Sequence, residues 1–210
     1  MLQIEIFALG SLETNCYLVH NGSVAVVIDP GGDPGKVVDF IKENGLYLEK
    51  VLNTHLHFDH IQGNAELAEV FSVQILASTK DAFLLDTEVG AGGFMGFPLT
   101  PAFEYHDLAA GEYIFAGDKC FVLATPGHTP GSLSFYFPGA KAVFSGDLIF
   151  YRSIGRTDFP GGDQDELIQS AKEKIFTLPE HTEIYPGHGP KTQVREETLH
   201  NPFFTRYWHP

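Results

Sequence analysis

The chain has 210 residues, 43% of them apolar and 18 of them Phe, enough to bury a substantial core, so wholesale disorder is excluded and a single domain over 1–210 is expected. Thirteen basic against 27 acidic residues leave a formal charge of −14 and a pI near 5.0, which repels phosphate backbones and anionic lipid; neither nucleic acid nor membrane is expected as a partner. The first residues carry no basic, signal-like segment, and no stretch approaches the roughly 20 apolar residues of a membrane span, so a cytoplasmic location is expected.

In chain order, residues 3–9, 15–20 and 23–28 read as strands, the last two joined by the turn dipeptide Asn21-Gly22. Asp33 and Pro34 read as an N-cap and a first helical residue, with Val37, Val38 and Ile41 on one face and Gly45 as the stop. Strand 49–54 then leads into a His-rich stretch, a helix over 61–71 and a strand over 73–77. Residues 86–107, broken by glycines and prolines but supplied with Phe94, Met95, Phe97 and Phe103, predict a long, partly packed loop bordering a cleft. Strands follow near 112–115, 119–124, 133–137 and 142–145. Asp163 and Glu166 form a capping-box pattern ahead of a helix with Leu167, Ile168, Ala171, Ile175 and Leu178 on one face, and a short strand over 183–185 closes the pattern. Two β-rich halves, each closed by a helix, predict an α/β (α+β) fold built as a four-layer αββα sandwich.

The chemistry lies in His55-Leu56-His57-Phe58-Asp59-His60, four potential ligands in six residues at a strand's C-terminal end. Imidazole and carboxylate suit zinc, iron or manganese, and the spacing accommodates two ions better than one. His128, Asp147 and His188 each follow a predicted strand and have glycine beside them, so they are expected to complete the site. His20, His106, His181, His200 and His209 read as ordinary surface or hydrogen-bonded residues, and Cys16 and Cys120 as buried reduced thiols. Arg152 and Arg156, in the loop after Asp147, are candidate binders of a substrate carboxylate because the guanidinium can bind it bidentately.

The ordered set His55, His57, Asp59, His60, His128, Asp147 and His188 resembles the metal signature of the metallo-β-lactamase superfamily. The resemblance implies that His55, His57 and His128 hold one ion, that Asp59, His60 and His188 hold a second, and that Asp147 bridges them. Asp29 matches an early acidic position and is read as supporting the ligands rather than binding metal. Thr14-Asn15-Cys16-Tyr17, residues 155–159 and residues 199–203 further resemble the glyoxalase II group, the hydroxyacylglutathione hydrolases, in its short bacterial form.

That likeness implies a thioesterase acting on S-lactoylglutathione-like substrates by a metal-bridging hydroxide, with two divalent ions per chain, zinc first among them and iron or manganese admissible. The protein would be a monomer or homodimer acting on a small-molecule acyl thioester. Arg156 lies where longer relatives place a glutathione-binding lysine, and only about twenty residues follow His188, where those relatives carry a helical domain. Residues 155–159 and 173–179 also resemble persulfide dioxygenases, which use one iron held at the positions of His55, His128 and Asp147; a lactonase on the same scaffold is a further alternative. A β-lactamase is disfavoured by Asp147, which stands where many zinc β-lactamases carry cysteine. A nuclease is disfavoured by the acidic charge, and a non-catalytic scaffold by the completeness of the ligand set.

Overall fold

The computed structural model describes residues 2–205, so His209 lies outside the described residues. The first sheet contains β1 (Gln3–Leu9), β2 (Thr14–His20), β3 (Val24–Ile28), β4 (Tyr47–Leu52), β5 (Gln74–Ala77) and β6 (His106–Asp107), in that order. β1 to β3 form an antiparallel meander, and β3 to β6 continue in parallel. In the second sheet β7 (Gly111–Phe115), β8 (Asp118–Ala124), β9 (Leu133–Phe137) and β10 (Ala142–Gly146) are antiparallel neighbours. A short hairpin, β11 (Ile149–Phe150) with β12 (Ser153–Ile154), stands apart, and β13 (Glu183–Pro186) returns parallel to β10 with β14 (Thr192–Gln193) at its edge.

The side-chain period of two explains why these strands form internal layers. In β2 and β3, Tyr17, Val19, Val26 and Ile28 face the second sheet, where they meet Val122, Phe135, Phe137, Phe144 and Tyr185. Their neighbours Cys16, Leu18, Ala25 and Val27 face outward onto Val37, Val38 and Ile41 of α1 (Gly35–Glu43). The outer face of the second sheet, including Val143 and Ile184, is covered by Leu167, Ala171 and Ile175. Helices therefore cover both outer faces of the two sheets, giving the four-layer αββα metallo-β-lactamase fold. Among the described residues, no helix is long and apolar enough to cross a membrane.

Three local expectations need correction. The helix foreseen over 61–71 is interrupted: α2 (Phe58–Ile61) winds the second half of the His-rich stretch, and α3 (Asn64–Phe71) starts after Gly63. The Gly63 amide donates to the Pro30 carbonyl at 2.7 Å, and a Cβ there would meet the Gly32 carbonyl oxygen at the same distance, so the chain bends where it touches the 30–32 turn. Helix α1 starts one residue late, with Pro34 at its N-cap, because the Asp33 carboxylate accepts from the Gly35 amide. The long loop after residue 86 contains α4 (Glu88–Ala91) and ends by adding β6 to the first sheet. Of the remaining histidines, His20 is buried and hydrogen-bonded, its Nδ1 accepting from the Gly22 amide at 3.3 Å, and His106, His181 and His200 are exposed, within the reading of surface or hydrogen-bonded residues. Helix α5 (Gln164–Ser170) starts as read, with the Asp163 side chain accepting from the Glu166 amide, and continues as a wider turn over Ala171–Ile175. Cys16 and Cys120 are buried free thiols, and burial holds both well above the usual thiol pKa.

Candidate metal centre

All seven predicted ligands come together at one end of the sandwich. His55 and His57 follow β4 in extended backbone, and Asp59 and His60 occupy the single turn of α2. The alternating apolar residues anchor this run: Leu56 packs with Ile61 and Ala77, and Phe58 lies against Phe94 and Phe97 with ring centroids 5.5 and 5.1 Å apart. His128 follows β8, Asp147 follows β10 and His188 follows β13, so both sheets contribute.

Two glycines let these loops close. Gly127 has φ +131°, and a Cβ there would collide with the Leu167 backbone in the middle of α5. At Gly187, beside His188, a Cβ would collide with Asp147 Oδ1 and lie 2.7 Å from His60 Cε1.

The imidazoles share a pattern. His60 Nδ1 lies 2.9 Å from Asp29 Oδ2, His128 Nδ1 2.7 Å from the Arg156 carbonyl, His188 Nδ1 3.2 Å from the Leu12 carbonyl and His55 Nδ1 3.0 Å from Thr54 Oγ1. Each of these four rings is oriented through Nδ1, with Nε2 left to face the cluster. His57 is reversed, with Nδ1 3.0 Å from His128 Nε2.

The inward atoms fall into three overlapping groups, each with its donors within 4.8 Å of one another: His55, His57 and His128; His55, His60 and Asp147; and Asp59, His60 and His188. Asp147 joins the outer two, with Oδ1 3.4 Å from His60 Nε2 and Oδ2 3.7 Å from both His128 Nε2 and His188 Nε2. His188 Nε2 is 3.1 Å from Asp59 Oδ2.

Such separations suit nitrogens and oxygens that share an ion at about 2.0–2.2 Å from each. Three of the inward atoms, His55 Nε2, His60 Nε2 and Asp147 Oδ1, are buried with no hydrogen-bond partner, an arrangement that costs free energy unless something else satisfies them. The donor set therefore fits divalent ions.

Electrostatics agree with this geometry. Burial, then the neighbouring imidazoles, holds His55 well below the usual histidine pKa, and burial with His128 brings His57 down to about 3; both present lone pairs at neutral pH. Burial pushes Asp147 up, but His60, His128 and His188 together outweigh it and keep the carboxylate ionised. Burial pushes His60 down, but Asp147, Asp59 and Asp29 outweigh it and raise its pKa well above the usual value, so in the metal-free protein a proton on His60 balances these carboxylates.

Further contacts support the ligands, and of these only that of Leu12 had no sequence signal. Thr14 Oγ1 donates to Asp59 Oδ2 at 3.3 Å, and the Leu12 carbonyl orients His188. The Thr14-Asn15-Cys16-Tyr17 motif acquires a physical role: Asn15 Nδ2 donates to the Pro186 and Gly189 carbonyls, and the Tyr17 hydroxyl donates to Pro186, so β2 holds the turn bearing His188. Asp29, expected to support the ligands, does so: it accepts from the Thr54 amide at 2.7 Å, the Thr54 hydroxyl at 2.6 Å and the His60 ring.

The two arginines part ways. The Arg152 guanidinium is bound to Glu196 at 2.8 Å and Glu197 at 3.1 Å on α6 (Val194–His200). Arg156 is exposed at the mouth of the site, bidentate to Asp158 at 2.7 Å and stacked 3.7 Å from the Phe159 ring, which itself lies 5.7 Å from the His57 ring.

Residues 9–188 match the Lactamase_B family, described as the metallo-beta-lactamase superfamily. The chain belongs to this superfamily. It is 38% identical over 202 residues to a probable metallo-hydrolase, YqgX, from Bacillus subtilis, covering 95% of this chain and 96% of the relative. It is 36% identical over 207 residues to the hydroxyacylglutathione hydrolase GloC of Haemophilus influenzae, covering 96% and 98%.

Three solved structures are similar to this superfamily member. The B3 metallo-β-lactamase BLEG-1 superposes with a TM-score of 0.90 at 36% identity, covering 97% of this chain and all of the other. TTHA1623 in a di-iron-bound form gives 0.86 at 37%, covering 95% and 99%, and ETHE1 from Myxococcus xanthus gives 0.74 at 30%, covering 95% and 83%.

Proposed function

We propose that this superfamily member is a dinuclear metal-dependent hydrolase that cleaves acyl thioesters of the hydroxyacylglutathione type. His55, His57 and His128 would hold one ion and Asp59, His60 and His188 the other, and Asp147 would serve both. The observation that carries this reading is the division of labour in the imidazoles: Nδ1 of His60, His128 and His188 is committed to a carboxylate or carbonyl while Nε2 faces a shared centre.

When bound, two divalent ions supply water activation near neutral pH and stabilise the oxyanion that develops during attack on a carbonyl. The protein then has to orient the substrate and exclude competing groups. A thioester suits it, because a cysteine-like thiol with a pKa of about 8.5 leaves as thiolate without a protein acid.

The flanks of the cluster differ in character. Beside Asp59, a cavity of about 90 Å³ is lined by Leu12, Phe58, Phe97 and Pro98, by Ser11, Asp33 and Gln62, and by Gly10, Gly31 and Gly32. A cavity of roughly 150 Å³ accommodates benzene, so this one fits an acyl group of a few carbons. On the His57 and His128 side stands Arg156 on Phe159, a cation suited to the carboxylate of a glutathione-like leaving group.

The similarity to GloC supports the substrate class, and the di-iron form of TTHA1623 supports two ions, with iron admissible beside zinc and manganese. A cytoplasmic location, a small-molecule substrate and a monomeric or homodimeric state without nucleic acid or membrane partners complete the reading.

The test is parallel turnover of S-lactoylglutathione, simpler thioesters, a lactone, a β-lactam and glutathione persulfide with oxygen, on metal-quantified enzyme. Thioester hydrolysis should dominate, and Asp147→Ala or His57→Ala should reduce it to background with the far-UV circular dichroism unchanged. Oxygen uptake with the persulfide, or β-lactam turnover without thioester turnover, would replace this reading.

A further inference from the structure

Outside the cluster, a second acidic site bears on its shape. Asp81, in the 3-10 segment Thr79–Asp86, is fully buried and forms no ion pair among the described residues. Its Oδ2 accepts from the Thr129 hydroxyl at 2.7 Å and its Oδ1 from the Gly131 amide at 2.6 Å. Thr129 directly follows His128. One carboxylate thus grips, at two points, the loop after β8 that bears His128.

Burying a carboxylate without a cation is costly, and burial indeed raises the pKa of Asp81. An apolar side chain could fill the volume at lower cost but could not accept from the Thr129 hydroxyl and the Gly131 amide. Gly131 is part of the arrangement, since a Cβ there would lie 2.6 Å from the Asp81 carboxyl carbon; the chain can descend onto Asp81 only with glycine at this position.

We propose that Asp81 is a positioning residue for the first ion. It holds the loop that presents His128 without touching either ion, so affinity at that position depends on a residue that offers no ligand. The inference rests on the metal-centre reading and extends it to the chain beneath the site.

The experiment compares wild type, Asp81→Ala, Asp81→Asn and Thr129→Val. Affinity for each of two Co²⁺ ions is read by chelator competition, coordination by the visible absorption of the Co²⁺-loaded protein, and folding by circular dichroism. Asp81→Ala should weaken one of the two ions by about 10- to 100-fold, the range seen when groups that orient ligands are removed, and leave the other within about threefold. Its visible spectrum should change, and kcat should fall more than KM rises.

Asp81→Asn should recover much of the affinity, since its carbonyl still accepts from the Gly131 amide and its amide can donate to the Thr129 hydroxyl. Should Asp81→Ala not fold, Thr129→Val, which removes one donor only, should still weaken one ion about 3- to 10-fold. Folded variants with wild-type affinity and spectrum would overturn the role of Asp81 and leave the metal centre standing. Failure of the wild type to bind Co²⁺ would overturn both.

Discussion

Asp29 Oδ2 lies 2.9 Å from His60 Nδ1, so a carboxylate at the end of β3 fixes the ring of a candidate ligand 31 residues away. Asp29 reaches this position with φ +52°, a left-handed conformation that aspartate tolerates better than most residues. Its other bonds, to the Thr54 amide and hydroxyl, hold the segment from which His55 emerges. Asp29→Asn should therefore weaken binding of the second ion by about 10- to 100-fold without unfolding the protein, as measured by chelator competition alongside circular dichroism.

Gly187→Ala adds one methyl group where Asp147 Oδ1 and the His60 ring already stand. Neither neighbour is the free end of a flexible chain, so relief requires moving candidate ligands. The variant should lose most metal binding and hydrolysis, whereas alanine at Gly45, around which there is open space, should leave both near wild type despite its positive φ. Isothermal titration of the two variants checks this.

Arg156 is engaged by Asp158, and both side chains are exposed. Exposed ion pairs are weak and screened, so a substrate carboxylate can compete for the same guanidinium. Asp158→Asn should lower KM for carboxylate-bearing thioesters by about two- to fivefold and leave neutral thioesters unchanged, an effect that fades with added salt. Equal effects on both substrate classes would remove Arg156 from substrate recognition.

The depressed pKa of His57, about 3, gives the metal-free protein a definite acid response. Unfolded histidine binds its proton near pH 6.5, the folded ring only near 3; between these values the unfolded state carries more protons, and stability falls as pH falls. His55, also lowered by burial, adds in the same direction. His60 acts oppositely: its raised pKa contributes stability that is present below about pH 6.5 and lost as pH rises through its folded value. Chelator-treated protein should thus lose thermal stability on acidification from pH 6.5 toward 4, and His57→Gln should flatten that slope.

Much of the site is legible in the sequence because its ligands are close in the chain or flanked by recognisable breaks. His55 to His60 run from the end of an apolar strand into a turn of helix, and His128, Asp147 and His188 each follow a strand, β8, β10 or β13. The four layers are legible for the same reason, since Tyr17 and Val19 point one way and Cys16 and Leu18 the other.

What does not show in the sequence is long-range pairing. Nothing near Arg152 reveals that Glu196 and Glu197 will claim it, nothing near Leu12 that its carbonyl will orient His188, and nothing near Asp81 that it will meet Thr129. The break at Gly63 has the same origin, because it depends on contact with the 30–32 turn rather than on local propensity.

The most direct test of the two-ion centre is metal content by elemental analysis of protein purified after expression in medium supplemented with zinc, iron and manganese. The geometry predicts about two ions per chain, falling to one or fewer in Asp147→Ala. Folded wild-type protein that carries no metal under these conditions would contradict it.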